Sequence, residues 1–277
     1  MVAPAEPFLK WAGGKRWLAL QLRGLLGVYH GRFFEPFLGG GSIFFGLTPP
    51  NAMLSDVNSE LIETYMVVRD HPEELIKELA RYEYSESFYY EMRERSPRNL
   101  VRRAARFIYL NRTCWNGLYR VNQNGEFNVP FGRFSRIPDY VGKNRIRDAS
   151  KVLRTTLSIA CHDFEEAVAS ARPGDLVFLD PPYTVAHKTN GFVKYNESIF
   201  SWKDQERLAK LVVKLKNKGC NILISNADHQ SILDLYKDHK LNVYTLDRPS
   251  RIAGNPAYRR GVSELLITNL NIDNLIM

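Results

Sequence analysis

Short apolar runs separated by amphipathic stretches set the pattern of this chain. Leu176-Val177-Phe178-Leu179 is continuous and β-rich, and it stops abruptly at Asp180-Pro181-Pro182-Tyr183. A run of that length bounded by turn residues marks a buried parallel strand. Arg32 to Glu35, Ala52 to Asp56 and Asn221 to Ser225 read as further strands. Leu61 to Val68, Glu73 to Leu79, Arg102 to Leu110, Asp204 to Lys218 and Ser231 to Lys237 read as helices, and Leu241 to Leu246 with Val262 to Thr268 as an antiparallel pair. The sum is an α/β fold: a doubly wound, mostly parallel sheet with a reversed C-terminal β-hairpin. A mainly helical insertion over 58–158 interrupts it and carries its own hairpin, signalled by Asn124-Gly125 between alternating flanks.

In an open α/β sheet the carboxyl ends of the strands build the site, which puts Asp180 and Tyr183 at a crevice rim. Two prolines contribute no N–H, so the loop after the strand presents acceptors only. Such a surface suits an exocyclic amine on a nucleobase, whose lone pair is delocalised into the ring. The Asp180 carboxylate and the Pro181 carbonyl can hold both N–H bonds and favour a pyramidal nitrogen that attacks. Tyr183 supplies an aromatic face for a base taken out of the duplex stack, at a cost of about a few kcal/mol. Asp-Pro-Pro alone would be better explained as a Pro-rich turn with a solvated carboxylate; the strand before it and the aromatic after it favour the chemical reading.

Two glycine segments precede this loop. Around Lys10-Trp11-Ala12-Gly13-Gly14-Lys15 a phosphate loop of the ATPase type would need glycine where Leu9 stands and Ser or Thr where Arg16 stands, so it is rejected. Gly13 and Gly14 instead allow close approach to a ligand, with Trp11 as a wall and Lys10 and Lys15 as partners for a carboxylate or phosphate, although a helix-start loop with solvated lysines fits this segment equally well. Pro36 to Gly41 is the turn after the first strand, with Ser42 expected to cap a helix through Phe45. Phe44 replaces the last glycine of the dinucleotide fingerprint, which argues against a pyrophosphate there. Asp56, ending the second strand, is placed to accept from the two hydroxyls of a ribose, and also to cap a helix beginning near Asn58. S-adenosylmethionine has that ribose and no pyrophosphate.

Charge narrows the partner. The chain carries 38 Lys+Arg against 30 Asp+Glu, a net +8. From Arg81 to Arg154 there are 16 basic and 7 acidic residues, so the excess of +9 in that block accounts for the whole imbalance and points to a polyanion. The three cysteines are scattered and no histidine pair has metal-ligand spacing, which predicts a reduced, metal-free cytoplasmic protein. The N-terminus has no signal pattern and no apolar run reaches membrane-spanning length, so no membrane partner is expected.

The order of these segments resembles the Dam-type DNA adenine-N6 methyltransferases nearly end to end: Lys-Trp-Ala-Gly-Gly-Lys, Glu-Pro-Phe-Leu-Gly-Gly-Gly-Ser, Leu-Ser-Asp-Val-Asn, the basic insertion, Asp163-Phe164 and Asp-Pro-Pro-Tyr. Asn111 to Asn122 and Gly125 to Arg133 look like that family's target-recognition hairpin. The resemblance implies an S-adenosylmethionine-dependent methyltransferase fold, with catalytic domain 1–57 and 159–277 and target-recognition domain 58–158. It implies that Trp11, Lys15, Phe37, Gly39 and Gly41 surround the methionine part of the donor, that Asp56 binds its ribose, and that Asp163 and Phe164 bind and stack its adenine. Asp180, Pro181, Pro182 and Tyr183 would be catalytic. Lys10, Arg112, Asn116, Leu118, Arg120, Asn122, Asn128, Pro130 and Arg133 would contact double-stranded DNA, with GATC as the expected site.

A two-stranded ribbon fits a major groove. Arg133, Arg136, Lys143, Arg145 and Arg147 can track phosphates beside it. Thr184 to Trp202, containing Tyr195-Asn196, reads as a loop that orders when a base arrives, and the loop of Arg248, Arg251, Arg259 and Arg260 as a flank for DNA. Alternatives are an amino-methyltransferase acting on RNA adenine or a protein amide, and a non-catalytic DNA-binding module. The basic hairpin insertion counts against the first, and intact Asp180 and Asp56 against the second. A restriction system, with a cognate restriction endonuclease as partner, a phage and a housekeeping pathway all remain open.

Overall fold

The computed structural model describes residues 3–27, 29–122, 124–185, 200–248 and 262–273. Chain contacts divide the protein into two compact units, Met1–Leu26 with Leu38–Asp163, and Gly27–Phe37 with Phe164–Met277. The strands are β1 (Phe33–Glu35), β2 (Ala52–Asp56), β3 (Ser158–Cys161), β4 (Leu176–Leu179), β5 (Asn221–Ala227), β6 (Asn242–Arg248) and β7 (Val262–Thr268). Their order in the sheet is β3-β2-β1-β4-β5-β7-β6. The pairs β2·β3, β1·β4 and β4·β5 are parallel, and β5·β7 and β6·β7 antiparallel. This is the doubly wound sheet with a reversed C-terminal pair that the apolar pattern predicts, and its order turns back between β1 and β4. No helix among the described residues is long and apolar enough to cross a membrane.

In the second unit all four residues of β4 are buried, because a parallel strand flanked on both edges shows both of its faces to protein. A buried carboxylate aligns its entry. Asp175 accepts from the Arg32 amide at 2.7 Å, the Arg32 guanidinium at 2.8 Å and the Arg172 amide at 2.8 Å, while the Leu176 amide donates to the Arg32 carbonyl at 2.9 Å. Gly31 lies so close to Asp175 that any Cβ would collide with it. The helix Trp202–Asn217 packs on β5 and starts earlier than expected. Ser201 caps it and Asp204, the expected first residue, closes the capping box from the third helical position.

The first unit is built around the helix Leu100–Thr113, on which the helices Ser59–Asp70, Pro72–Leu79 and Glu86–Glu94 pack. Its arginines are largely spent within the unit. Arg103 pairs with Glu63 at 2.7 Å, and Arg106 donates to the Met92 and Arg93 carbonyls at 2.8 and 2.7 Å. Two capping expectations are corrected. Ser42 is the first helical residue, and the cap is Gly41 in the left-handed region at φ +65°, with no side-chain cap bond. Asn58, not Asp56, caps the helix Ser59–Asp70, its side chain accepting from the Leu61 amide; Asp56 sits two positions too far back and receives the Asn58 amide instead.

The hairpin of the insertion is present as a compact ribbon. Val121 bridges Phe127, the Asn122 amide donates to Glu126, and the Gly125 amide donates to Asn122 with Gly125 at φ +80°. Gly125 takes the left-handed position that such a turn requires. Asn122 Oδ1 reinforces it by accepting from the Asn124 and Glu126 amides at 3.0 and 2.9 Å. Tyrosine hydroxyls from the helical part tie down the returning strand: Tyr89 donates to Val129 at 2.8 Å and Tyr84 to Gly132 at 2.6 Å.

Burial alone would raise the Asp175 carboxyl, but the hydrogen bonds from Arg32 and the Arg172 amide outweigh it and hold its pKa below the ordinary carboxylate range. A depressed folded pKa stabilises the native state above the unfolded value, about 3.9, and that stability is lost as pH falls through the folded value. Asp175→Asn should therefore cost about 1.5–3 kcal/mol in urea unfolding at pH 7, and the gap from wild type should close on acidification below pH ~4.

Candidate active site

β1 and β4 run side by side, Phe33 beside Leu176 and Phe34 beside Val177, so Phe37 and Asp180 emerge from neighbouring carboxyl ends. Asp180 is half-buried, Pro181 is buried and Pro182 is half-buried. The Tyr183 hydroxyl lies 2.9 Å from Ser225 Oγ and donates to Glu264 at 3.2 Å. Beyond it Thr184 is fixed by its hydroxyl to the Phe200 carbonyl at 2.6 Å, Gln205 donates to the Thr184 carbonyl at 3.4 Å, and Asn226 donates to Gln205 at 3.1 Å. Phe37 stacks on Phe164 at 5.5 Å and meets Phe200 edge-on at 5.6 Å. Arg207 lies 4.7 Å over the Phe164 ring, and Phe164 is buried.

The remaining donor candidates belong to the first unit. Gly39 at φ +47° and Gly41 at φ +65° bring the backbone where an added Cβ would meet Trp11 and the Tyr65 hydroxyl, each at 2.8 Å. The Asp56 carboxylate accepts from the Gly39 amide at 2.9 Å and the Asn58 amide at 3.0 Å. Burial pushes its pKa up, and the amides of Asn58, Gly39 and Val57 pull it back. A carboxylate has about four acceptor sites, so these two bonds leave capacity for a sugar diol. Lys15 is buried and donates to the Gly13 carbonyl at 3.1 Å, which rules out the solvated lysine. Asp163 is half-buried, two residues beyond the end of β3.

The DNA candidates form two groups. Lys10, Arg112 and Arg145 make a cationic cluster. Burial first, then Arg112 and Arg145, lowers the Lys10 pKa; burial and then Arg145 lower that of Arg112 to about 10. Arg112 donates to the Asp139 carbonyl at 3.3 Å, and its buried Nε has no partner among the described residues. The hairpin carries the second group. Asn116 is exposed at φ +54°, Pro130 is exposed, and Leu118 is half-buried. Arg120 donates to Asn128 Oδ1 at 2.8 Å and to the Asn128 carbonyl at 3.3 Å, Asn122 donates to Glu126 at 2.9 Å, and Arg133 pairs with Glu86 at 3.2 Å. Arg147 is committed to Glu73 at 2.7 Å. Tyr195, Asn196, Arg251, Arg259 and Arg260 lie outside the described residues.

Several residues at these places escape a reading by motif. Tyr119 stacks on Trp11 at 5.2 Å and touches Phe107 and Phe127, so it joins the hairpin of the insertion to the glycine segment. Its alternation with Leu118 and Arg120 is a signal that it faces inward. Asn111 clamps Lys10 in both directions, accepting from its amide at 2.9 Å and donating to its carbonyl at 2.8 Å. Ser225 and Glu264 stand far from the Asp-Pro-Pro-Tyr loop in sequence, and nothing local announces them. Among the described residues no group of three or more His, Cys, Asp or Glu could hold a metal ion.

Residues 11–249 match the family described as D12 class N6 adenine-specific DNA methyltransferase. The chain is 39% identical, over 95% of its length and 95% of the relative's, to "Type II methyltransferase M1.LlaDCHI" of Lactococcus lactis subsp. cremoris. It is 35% identical, over 95% of its length and 99% of the relative's, to "Type II methyltransferase M.MjaIII" of Methanocaldococcus jannaschii. A "DNA adenine methylase" of Serratia marcescens is 36% identical over 94% of this chain and 96% of that one. The chain belongs to the D12 class of adenine-specific DNA methyltransferases, and the family implies S-adenosylmethionine as methyl donor and DNA as substrate.

Replacing Asn111 with leucine keeps its volume and strands both main-chain groups of Lys10. At about 1–3 kcal/mol for each buried group left unsatisfied, Asn111→Leu should lower the urea midpoint clearly while far-ultraviolet circular dichroism of the folded form stays unchanged.

Proposed function

We propose that this enzyme flips adenine out of duplex DNA and methylates its N6 within a short site, GATC. What carries the reading is the loop after β4: a half-buried carboxylate, a proline carbonyl and an aromatic ring gathered where no backbone donor competes. Asp180 and the Pro181 carbonyl accept the two N–H bonds of the target amine, and Pro182 stiffens the turn. Tyr183 offers its ring to the base. S-adenosylmethionine, when bound, supplies a methyl group that the amine takes by direct displacement, with no covalent enzyme intermediate. The donor set fits it: Asp56 has acceptor capacity for the ribose, and Trp11, Lys15, Phe37, Gly39 and Gly41 are assigned to the methionine part. Asp163 and Phe164 are assigned to the adenine.

Residues 58–158 serve target recognition and the remainder catalysis. The mutual repulsion of Lys10, Arg112 and Arg145, which Glu6 and Asp139 beside Arg145 offset only in part, supports a phosphate contact, since a further anion relieves it. On the hairpin, Asn128 holds the Arg120 guanidinium before any DNA arrives, and the donors left over suit the two acceptors of a guanine edge. Asn116, Leu118, Asn122, Pro130 and Arg133 complete the reading face. The names of the Lactococcus and Methanocaldococcus relatives favour a restriction system, with a cognate endonuclease as partner in the cytoplasm.

Asp180→Ala should abolish methyl transfer while donor and DNA affinities stay within about an order of magnitude, because the carboxylate acts on the amine in the transition state. Transfer of labelled methyl at near wild-type rate would remove Asp180 from catalysis. For recognition, Arg120→Ala should relax specificity at one base pair, worth about 1–3 kcal/mol of discrimination, while activity on altered sites holds relative to the cognate one. A panel of singly substituted duplexes reads this, and a uniform loss across the panel would reduce Arg120 to a phosphate contact.

A further inference from the structure

Tyr183 is gripped at the far end of its ring. Its hydroxyl reaches Ser225 of β5 at 2.9 Å and Glu264 of β7 at 3.2 Å. Both partners are deeply buried, Ser225 at 1% and Glu264 at 3% exposure. The pairing of the strands explains how they meet: Ser225 lies opposite Leu266 and Ala227 opposite Glu264, so Ser225 and Glu264 are diagonal neighbours on one face of the antiparallel ladder. A carboxylate is a costly residue to bury in a strand unless hydrogen bonds compensate it. Burial first, and then the negative charges of Asp180 and Glu264, raise the pKa of the Tyr183 phenol well above its ordinary value. The phenol is therefore protonated throughout the working range and donates to Glu264. Its single proton is then committed, and Ser225 is left to donate to the phenol oxygen.

The next residue is held separately. Thr184 is tied through Phe200, Gln205 and Asn226, with Thr184, Gln205 and Asn226 themselves buried. That network holds the main chain of the loop. The tilt of the ring is set at the hydroxyl.

We propose that Glu264 is a positioning residue for methyl transfer: with Ser225 it holds the Tyr183 hydroxyl and so fixes the plane against which the flipped adenine presents its amine to Asp180. The inference rests on the reading of Tyr183 as the ring that receives the base. Misplacing reacting groups by about 1 Å costs up to about a hundredfold in rate. In single-turnover transfer at saturating donor and DNA, Glu264→Ala should slow the reaction about ten- to hundredfold, with donor and DNA dissociation constants within about threefold of wild type. Glu264→Gln keeps an acceptor for the phenol and should restore most of the rate.

Tyr183→Phe removes the hydroxyl alone, keeps the ring and leaves Glu264 in place, so it tests the same bond where Glu264→Ala fails to fold. It should slow transfer by a factor similar to that of Glu264→Ala, and the two changes together should be no slower than either alone. A wild-type rate for Tyr183→Phe overturns the proposal. So does a slowing by Glu264→Ala that is as large in the Tyr183→Phe background as in the wild type, since that is the mark of a purely structural carboxylate. Asp180→Ala, run alongside, separates the two levels. If it transfers methyl, the whole site reading fails; if it is inactive while Tyr183→Phe is fully active, only the role of Glu264 fails.

Discussion

The parallel pairing of β1 with β4 is the constraint on which the candidate site depends. It puts Phe37 and Asp180 at adjacent strand ends, and it is secured at its start by the Asp175 carboxylate bridging Arg32 and Arg172. A one-residue slip would turn every side chain of β4 to the opposite face. Because β4 is buried on both faces, hydrophobic alternation cannot set its register, and the charged clasp together with the close approach of Gly31 supplies what the apolar residues cannot.

Backbone chemistry then decides what the end of β4 can do. Pro181 and Pro182 remove two donors at the point where the chain leaves the sheet, so the local field is made of carbonyls and the Asp180 carboxylate. The same logic runs in reverse at the glycine turn. There the Gly39 amide is turned onto the Asp56 carboxylate, and the absence of side chains lets Trp11 lie directly on the backbone. One loop is built to accept and the other to be approached.

In the first unit, basic residues differ in how far the fold itself engages them. Arg103, Arg106 and Arg147 are consumed by internal carboxylates and carbonyls, whereas Lys10, Arg112 and Arg145 crowd one another, with Glu6 at 3.8 Å and Asp139 at 3.7 Å from Arg145 as partial counter-charges. A count of basic residues along the chain therefore overstates the charge offered to a polyanion. The hairpin that carries Arg120 is not an independent ribbon either. Tyr84 and Tyr89 tie its return strand to the helices, and Tyr119 stacks on Trp11.

Periodicity and turn chemistry are local properties, and what they control was legible from residue order alone. Six of the seven strands, the reversed C-terminal pair, the buried β4, the Asn124-Gly125 hairpin and the ordered motifs that mark the family follow from neighbours within a few positions, whereas β3, only four residues long, was not read from the sequence. Helix starts were less legible: Gly41 and Asn58 take capping places that a reading of polar residues assigns to Ser42 and Asp56, and Ser201 caps a helix that was expected to begin at Asp204, because the backbone angle at each position chooses among nearby candidates. Only the tertiary structure decided which distant groups meet. Asn111 finds Lys10 across 101 positions of chain, and Tyr183 finds Ser225 and Glu264 across 42 and 81. Hydrogen bonds of this kind are formed by strand register and helix packing, and a polar residue carries no mark in its own neighbourhood of the partner that packing will bring to it.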